Sequence, residues 1–450
     1  MNKDGKKTLN IKKTLDLAIE NHQRNNLETA EQLYNQIIQL EPDNVESIFL
    51  LGSLSIQTKN FDKAQQLLNK VIQIDPNHAK AHNNLGATFQ ELKNNQEAIN
   101  CYEKAIKINP KLPDTYCNLS LLYMNSGKYE EALQYCNQAL VLTPQMLKAI
   151  NLKSEILKKS VPHWHTPMIN DKDRNNFYFS ALKSVIKTNS SVLEIGTGSG
   201  LLSIMAANLG AHEINTCEAN SIMVTTAKQV IEDNNLSEKI NVIQKKSNDI
   251  KIGTDINKPA DILVSEIFSS NLLSEDVLPS LEDAKQRLIS KNAKIIPEYG
   301  SIMIALFGGE DIGKNIYTEK FENIKLSKFN SIVSKKHVLQ RQDLKVDLMS
   351  KTFEAFRFDF VNKNNFLPEN KKIEIEVTKE GRSYGIIQWI KMGMSDGLKH
   401  ENHPSNLTNA STWQKILYLF DNPIELVIGQ KVTIVAKHER NIVWFFLDKI

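Results

Sequence analysis

The sequence predicts a multidomain protein: an α-helical solenoid, then an α/β domain on a parallel sheet, then a mostly β domain of barrel-like type. Three observations predict it. Prolines recur every 34 residues through the first third, apolar runs alternate with helical stretches from Val192 to Ile296, and strand-like segments dominate beyond Pro297. A chain of 450 residues, 41% hydrophobic and 24% charged, is long enough to bury several cores.

The repeats come first because missing them would misassign the architecture. Pro42, Pro76, Pro110 and Pro144 are in step with Ala30, Ala64, Ala98 and Ala132. This is the tetratricopeptide period, and it predicts four helical hairpins near 11–44, 45–78, 79–112 and 113–146. The third shows the logic best. Gly86 and Ala98 let two helix backbones approach, Phe89 and Tyr102 fill the gaps beside them, and Pro110 closes the unit. Gly52 matches Gly86, and Ser120 replaces it in the last repeat. The apolar spacing from Leu147 to Leu157 predicts a capping helix, so the solenoid occupies residues 1–158. An array of this kind is expected to recruit a protein partner, with a spacer or a dimerisation element as the alternative.

After Ser160 the pattern changes. His163, Trp164 and His165 lead into a predicted helix over Asp171 to Lys187. Strand-like runs follow at Val192 to Ile195, Ile214 to Cys217, Ile240 to Ile243 and Ile262 to Val264, and their alternation with helical stretches predicts a parallel sheet over residues 159–296. Residues 297–450 then carry strands such as Ser301 to Phe307, Lys372 to Val377, Gly385 to Lys391 and Lys431 to Ala436.

The first of those strands runs into Glu194, Ile195, Gly196, Thr197, Gly198, Ser199 and Gly200, with a helix beginning near Leu201. Glycines let the backbone approach a ligand, and a helix N-terminus favours negative charge. Glu218, 24 residues after Glu194 and at the end of the next strand, is placed to accept hydrogen bonds from ribose hydroxyls. The spacing fits a nucleoside ligand. It does not choose between a dinucleotide and S-adenosylmethionine.

Two acids, Glu266 and Glu275, flank a loop after the strand Asp261 to Ser265. In an open α/β sheet that strand end faces the ligand crevice. Paired carboxylates suit a guanidinium, which offers two edges of donors and a permanent charge.

The run Glu194 to Gly200 resembles the first motif of class I S-adenosylmethionine methyltransferases, so the α/β domain is expected to be Rossmann-like and to take S-adenosylmethionine. The segment Ser265 to Glu275, followed by Leu278, Pro279 and Ser280, resembles the double-glutamate loop of protein arginine N-methyltransferases, in particular the branch of members seven and nine. Met168 to Asn175 resembles that family's cofactor-covering helix, and the likeness extends over roughly residues 161 to 450. The resemblance implies a catalytic clamp of Glu266 and Glu275 on a substrate arginine. It implies cofactor contacts from Arg174, Glu194, Gly196, Gly198, Gly200 and Glu218, with Ser247 and Asn248 beside the adenine. It implies Met168 near the accepting nitrogen, Trp413 lining the substrate channel, a protein substrate presenting arginine, and a homodimer.

One departure stands out. Ser411, Thr412, Trp413 and Gln414 resemble the family's Thr-His-Trp loop, whose histidine supports the glutamate loop, and here Thr412 replaces it. His403 is read as a solvated loop histidine, with substitution for the missing one as the alternative, and a structural role is favoured for His165. An inactive scaffold and methylation of a non-arginine substrate are the competing readings. A formal charge of +3 argues against direct nucleic-acid binding. Cys101, Cys117, Cys136 and Cys217 lack metal-ligand spacing, no stretch approaches eighteen apolar residues, and the N-terminus lacks a signal-type apolar segment. A cytoplasmic protein, or a nuclear one in a eukaryote, is the expectation, with no metal and no membrane contact.

Overall fold

A computed structural model describes residues 3–162, 164–339, 345–406 and 412–449, with side chains from Asn10 onward; His163 and Ser411 lie outside the described residues. The chain forms two compact units, Met1–Val161 and Pro162–Ile450.

The first unit is a run of helices: α1 (Lys3–Gln23), α2 (Leu27–Leu40), α3 (Val45–Gln57), α4 (Phe61–Ile74), α5 (Ala79–Glu91), α6 (Asn95–Ile108), α7 (Pro113–Asn125), α8 (Tyr129–Leu142) and α9 (Leu147–Ser160). Each periodic proline stands two residues beyond a helix end, after α2, α4, α6 and α8, where no backbone N–H is needed. Ala30, Ala64, Ala98 and Ala132 are fully buried. Gly86 is a true close approach, since a Cβ there would lie 2.8 Å from the Tyr102 ring. In the last repeat the Ser120 hydroxyl donates to the Ala132 carbonyl at 2.6 Å, so this departure from glycine is bonded as well as packed.

The second unit opens with α10 (His165–Asn170) and α11 (Lys172–Val185), then alternates β1 (Ser191–Ile195), α12 (Leu201–Asn208), β2 (Glu213–Cys217), α13 (Ser221–Asp233), β3 (Ile240–Ile243), β4 (Ala260–Ser265), α14 (Val277–Asp283) and β5 (Ile289–Ile296). The strands form one parallel sheet in the order β3-β2-β1-β4-β5. All five residues of β1 are buried, as a central parallel strand requires. The order reverses between β1 and β4. Their carboxyl ends therefore flank the crevice where such sheets bind ligands.

Beyond β5, strand β6 (Tyr299–Gly308) enters an antiparallel sheet with Gly381–Gly393, Lys415–Leu426 and Lys336–Leu339, and a second antiparallel sheet joins Glu369–Glu376, Lys431–His438 and Val443–Lys449. Beyond the boundary expected near residue 297 lies an apolar cluster of its own, with Met303, Phe307, Ile387 and Trp389 among its members, and a larger one spans the boundary. The larger cluster runs from Tyr178 and Val192 through Leu272 to Tyr418 and Phe445, as β5 leads almost directly into β6. Among the described residues no helix is long and apolar enough to cross a membrane.

Candidate active site

The glycine turn follows β1. Gly196 and Gly198 have φ of +87° and +51°, a region that costs most side chains strain. They differ in surroundings. A Cβ on Gly196 would lie 2.5 Å from Ile267 Cγ2, whereas one on Gly198 would meet nothing within 4 Å. Gly198 is thus the open point of the turn, and Gly200 is the N-cap of α12.

Glu218, just past β2, accepts from the Gly198 N–H (3.2 Å) with one oxygen and from the Asn220 N–H (2.9 Å) with the other. It ties the turn to the next strand end. Ser247 is buried and Asn248 exposed on the short helical turn after β3.

Glu194 requires a correction. It was expected to face a cofactor, but it is 1% exposed and inside the sheet, where it accepts from the hydroxyls of Ser203 and, at 2.8 Å, Thr216. Thr216 in turn lies 2.6 Å from the Thr197 hydroxyl, so this network braces the turn from below. Burial pushes the Glu194 carboxyl up to about 7 against the pull of its two hydroxyl donors. The native state therefore binds this proton more tightly than the unfolded chain, whose reference value is 4.5. The associated stabilisation is complete below that value and is lost as pH rises toward 7. Glu194→Gln should flatten the fall in thermal midpoint between pH 4.5 and 7 recorded by calorimetry, and an unchanged pH profile would refute the assignment.

Glu266 leaves the end of β4 with its side chain 6% exposed. One oxygen lies 3.0 Å from the guanidinium of Arg174, itself 3% exposed; the other, Oε1, is buried with no hydrogen-bond partner among the described residues. Burial raises Glu266 to about 7; Arg174 opposes the shift and the Glu275 charge reinforces it. Arg174 also donates to Asn175 Oδ1 from Nε (3.3 Å) and Nη2 (2.9 Å), while Nη1 makes no well-aligned hydrogen bond. Its position on α11 is secured because Asp171 caps that helix, accepting from the Arg174 N–H at 3.0 Å.

Glu275 lies at the exposed far end of the loop, in left-handed backbone conformation like Leu272 and Asp276. Desolvation, then the charge of Glu218, raise its pKa. Asn271 Oδ1 accepts from the Leu273 and Ser274 N–H groups, both at 3.0 Å, and from the hydroxyls of Ser269 and Ser274. That one carbonyl oxygen makes the loop a closed turn.

The segment around Thr412 works differently from the family-based expectation. The Thr412 N–H and hydroxyl both reach Asp171 Oδ2, at 3.1 and 3.3 Å, so this residue braces α11 and not the loop. Its neighbours hold the loop: the Trp413 indole N–H donates to the Phe268 carbonyl and the Gln414 N–H to Ser270 Oγ, both at 2.9 Å. Trp413, expected to line the substrate channel with a core position as the alternative, is 3% exposed and packs edge-on against His400, as a core residue does. His403 does not substitute for the missing histidine, since its Nδ1 accepts from the Ser405 N–H and its ring packs on Trp389. His400 is the buried histidine of this region, between Phe177 and Trp413.

Met168 is half-buried on α10. His165, to which sequence reasoning gave a structural role, is on the same short helix with Nδ1 buried and without a partner among the described residues. Desolvation lowers its pKa, Glu218 opposes and Arg174 adds to the shift, so the ring shares the crevice of those two groups. The donor set fits a nucleoside carrying an amino-acid end: an open glycine, a carboxylate bound to backbone N–H groups, an unpartnered imidazole nitrogen and a buried guanidinium. Tyr178, whose hydroxyl donates to the Ser265 carbonyl at 3.0 Å, also supports the site, and no single-sequence motif signals it.

The glycine turn and the buried carboxylate lie at the reversal point of a Rossmann-like parallel sheet, the fold of a methyltransferase domain. Residues 176–296 match the family model of ribosomal protein L11 methyltransferase (PrmA), and residues 15–161 match that of the tetratricopeptide repeat protein 21 C-terminal ARM domain. An arginine N(omega)-methyltransferase of Streptomyces achromogenes subsp. streptozoticus is 28% identical over 282 residues, 62% of this chain and 77% of that protein. Protein arginine N-methyltransferase 7 of Oryza sativa subsp. indica is 32% identical over 246 residues, 49% of this chain and 34% of that protein. Its Bos taurus counterpart is 26% identical over 317 residues, 63% and 46%. The chain is similar in sequence to protein arginine N-methyltransferases, and it spans about a third to a half of the length of the member-seven relatives.

Two solved structures share the fold. The Trypanosoma brucei PRMT1 enzyme–prozyme heterotetrameric complex with AdoHcy aligns with a TM-score of 0.52 at 21% identity, over 61% of this chain and 86% of that one. Arabidopsis thaliana protein arginine methyltransferase 10 aligns with a TM-score of 0.52 at 18% identity, over 62% and 88%.

Proposed function

We propose that this chain transfers the methyl group of S-adenosylmethionine to a guanidino nitrogen of arginine in protein substrates. The observation that carries the reading is Glu266, a buried carboxylate at a central strand end with one oxygen on Arg174 and the other without a hydrogen-bond partner among the described residues. Leaving such an oxygen unpaired costs about 1–3 kcal/mol. A guanidinium brings forked donors that would satisfy it.

The cofactor, when bound, supplies an electrophilic sulfonium methyl. Gly196, Gly198 and Gly200 would cradle it, Glu218 would take its ribose hydroxyls, Ser247 and Asn248 its adenine, and Arg174 with His165 its amino-acid end. Glu266 and Glu275 would grip the substrate guanidinium and turn one nitrogen toward the methyl, with Met168 beside that nitrogen. Orientation supplies most of the rate. A carboxylate held near 7 is also suited to receive the proton the nitrogen releases. Incubation with methyl-labelled cofactor and a cell lysate tests the reading through the identity of the labelled residue.

A second substrate reading follows from the Streptomyces relative, whose name specifies arginine and not protein arginine. Free arginine added to the same assay distinguishes the two: label on the amino acid alone would displace the protein-substrate reading.

The helical repeats would recruit the protein partner, and the chain would work as a homodimer. Phe321, Ile324, Phe329 and Ile332 support the latter, being 59–76% exposed within one short segment of the second unit. Phe329→Asp with Ile332→Asp should convert a dimer to a monomer by light scattering. A wild-type chain that is monomeric and fully active would contradict this. The four cysteines are free thiols, three of them buried, which supports a reducing, cytoplasmic setting.

A further inference from the structure

Gln388 is fully buried in the middle of strand Gly381–Gly393, between Ile387 and Trp389 in sequence and opposite Ile304 and Ile416 on the neighbouring strands. An amide there gives up its water and needs partners, whereas an aliphatic side chain of similar size would need none. Its two partners lie on opposite sides. Nε2 donates to the Ser270 carbonyl at 3.3 Å, and Oε1 accepts from the Tyr418 hydroxyl at 2.8 Å. Tyr418 is itself 1% exposed, and its hydroxyl also lies 3.2 Å from the Val443 carbonyl.

Ser270 lies between Glu266 and Glu275, directly before Asn271, whose side chain closes the turn that presents Glu275. Left-handed residues such as Leu272, Glu275 and Asp276 persist only where the surroundings over-determine them. Thr412 contributes nothing to that hold, because its bonds go to Asp171. Trp413 and Gln414 grip the loop from one side, and the Tyr418–Gln388–Ser270 relay reaches it from within the sheet.

We propose that Gln388, backed by Tyr418, is a positioning residue that fixes the loop carrying Glu266 and Glu275. The kinetic consequence rests on the clamp reading above. The structural consequence does not.

The test uses the full chain with Gln388→Met and Tyr418→Phe together, which removes the relay so that neither position keeps a side-chain polar atom without its partner, and the Ser270 carbonyl loses its donor from the sheet. Hydrogen exchange of the amides from Phe268 to Glu275 should speed up about three- to tenfold, the loss expected for one net hydrogen bond. Cofactor affinity and thermal midpoint should remain close to wild type while kcat falls about tenfold. Unchanged loop exchange would overturn the proposal, as would a kcat loss matched by faster exchange throughout the unit. If the wild-type chain transfers no methyl group, the clamp reading fails and loop exchange alone decides this one.

Gln388→Glu guards against a misfolded double variant. Protonated, its carboxyl can still donate to the Ser270 carbonyl; ionised, it cannot, and burial places that ionisation above the usual carboxylate range. Loop exchange should then acquire a pH-dependent step absent from wild type. A profile parallel to wild type would overturn the assignment.

Discussion

Replacing Glu266 with glutamine should lower kcat about 100-fold or more, because the charge-assisted hydrogen bond from its free oxygen to the guanidinium, worth about 1.5–3 kcal/mol, is weakened and the proton acceptor is lost with it. The change also leaves Arg174, 3% exposed, without its counter-charge. Loss of folded protein must therefore be excluded by calorimetry. In the wild-type chain the same residue sets a pH dependence. Burial holds Glu266 up to about 7, so a substantial fraction is protonated in mildly acidic solution and cannot accept the nitrogen's proton. The rate kcat/KM should rise with pH and level off above about 7. A flat profile from pH 5.5 to 8, or a Glu266→Gln variant of wild-type activity, would remove this residue from the chemistry.

The second large effect is expected at Gly196. Its φ of +87° and the Ile267 methyl 2.5 Å from a built Cβ mean that alanine introduces backbone strain and a clash. Strain of about 1–3 kcal/mol and overpacking of about 1–3 kcal/mol together predict weakening of cofactor binding by about 100-fold. Ile267 is the neighbour of Glu266, so kcat at saturating cofactor should fall as well. Gly198→Ala separates the two contributions, since its Cβ meets nothing within 4 Å. Titration calorimetry showing equal, small losses in both variants would deny the tight fit between the glycine turn and the glutamate loop.

The solenoid was legible because helix pairing repeats its demands: buried Ala30, Ala64, Ala98 and Ala132 and the prolines after each second helix recur with the period of the unit. The parallel sheet was legible for a similar reason, as strands buried on both faces read as apolar runs. Glu194 was misread because motif position says where a residue lies and not which way it points. Inside a strand buried throughout, its side chain meets α12 and β2, not the crevice.

The supports of the site were hidden for a different reason. Thr412 marked a departure, but its bond to Asp171 joins residues 241 positions apart. His403 drew attention by proximity in sequence, while His400, three residues earlier, is the one that packs on Trp413. Gln388 did leave a trace, as the one polar residue in the run Ile386 to Ile390. Only the Ser270 carbonyl beside it gives that residue a purpose.

The central claim is that Glu266 and Glu275 clamp an arginine guanidinium beside an S-adenosylmethionine site. Its most direct test is incubation of the full chain with methyl-labelled S-adenosylmethionine, cell lysate and free arginine, followed by mass spectrometry of the labelled species, with Glu266→Gln in parallel. The account predicts methylated arginine within protein from the wild-type chain and a loss of about 100-fold or more from the variant. Label on another residue type, or cofactor binding without methyl transfer, would contradict it.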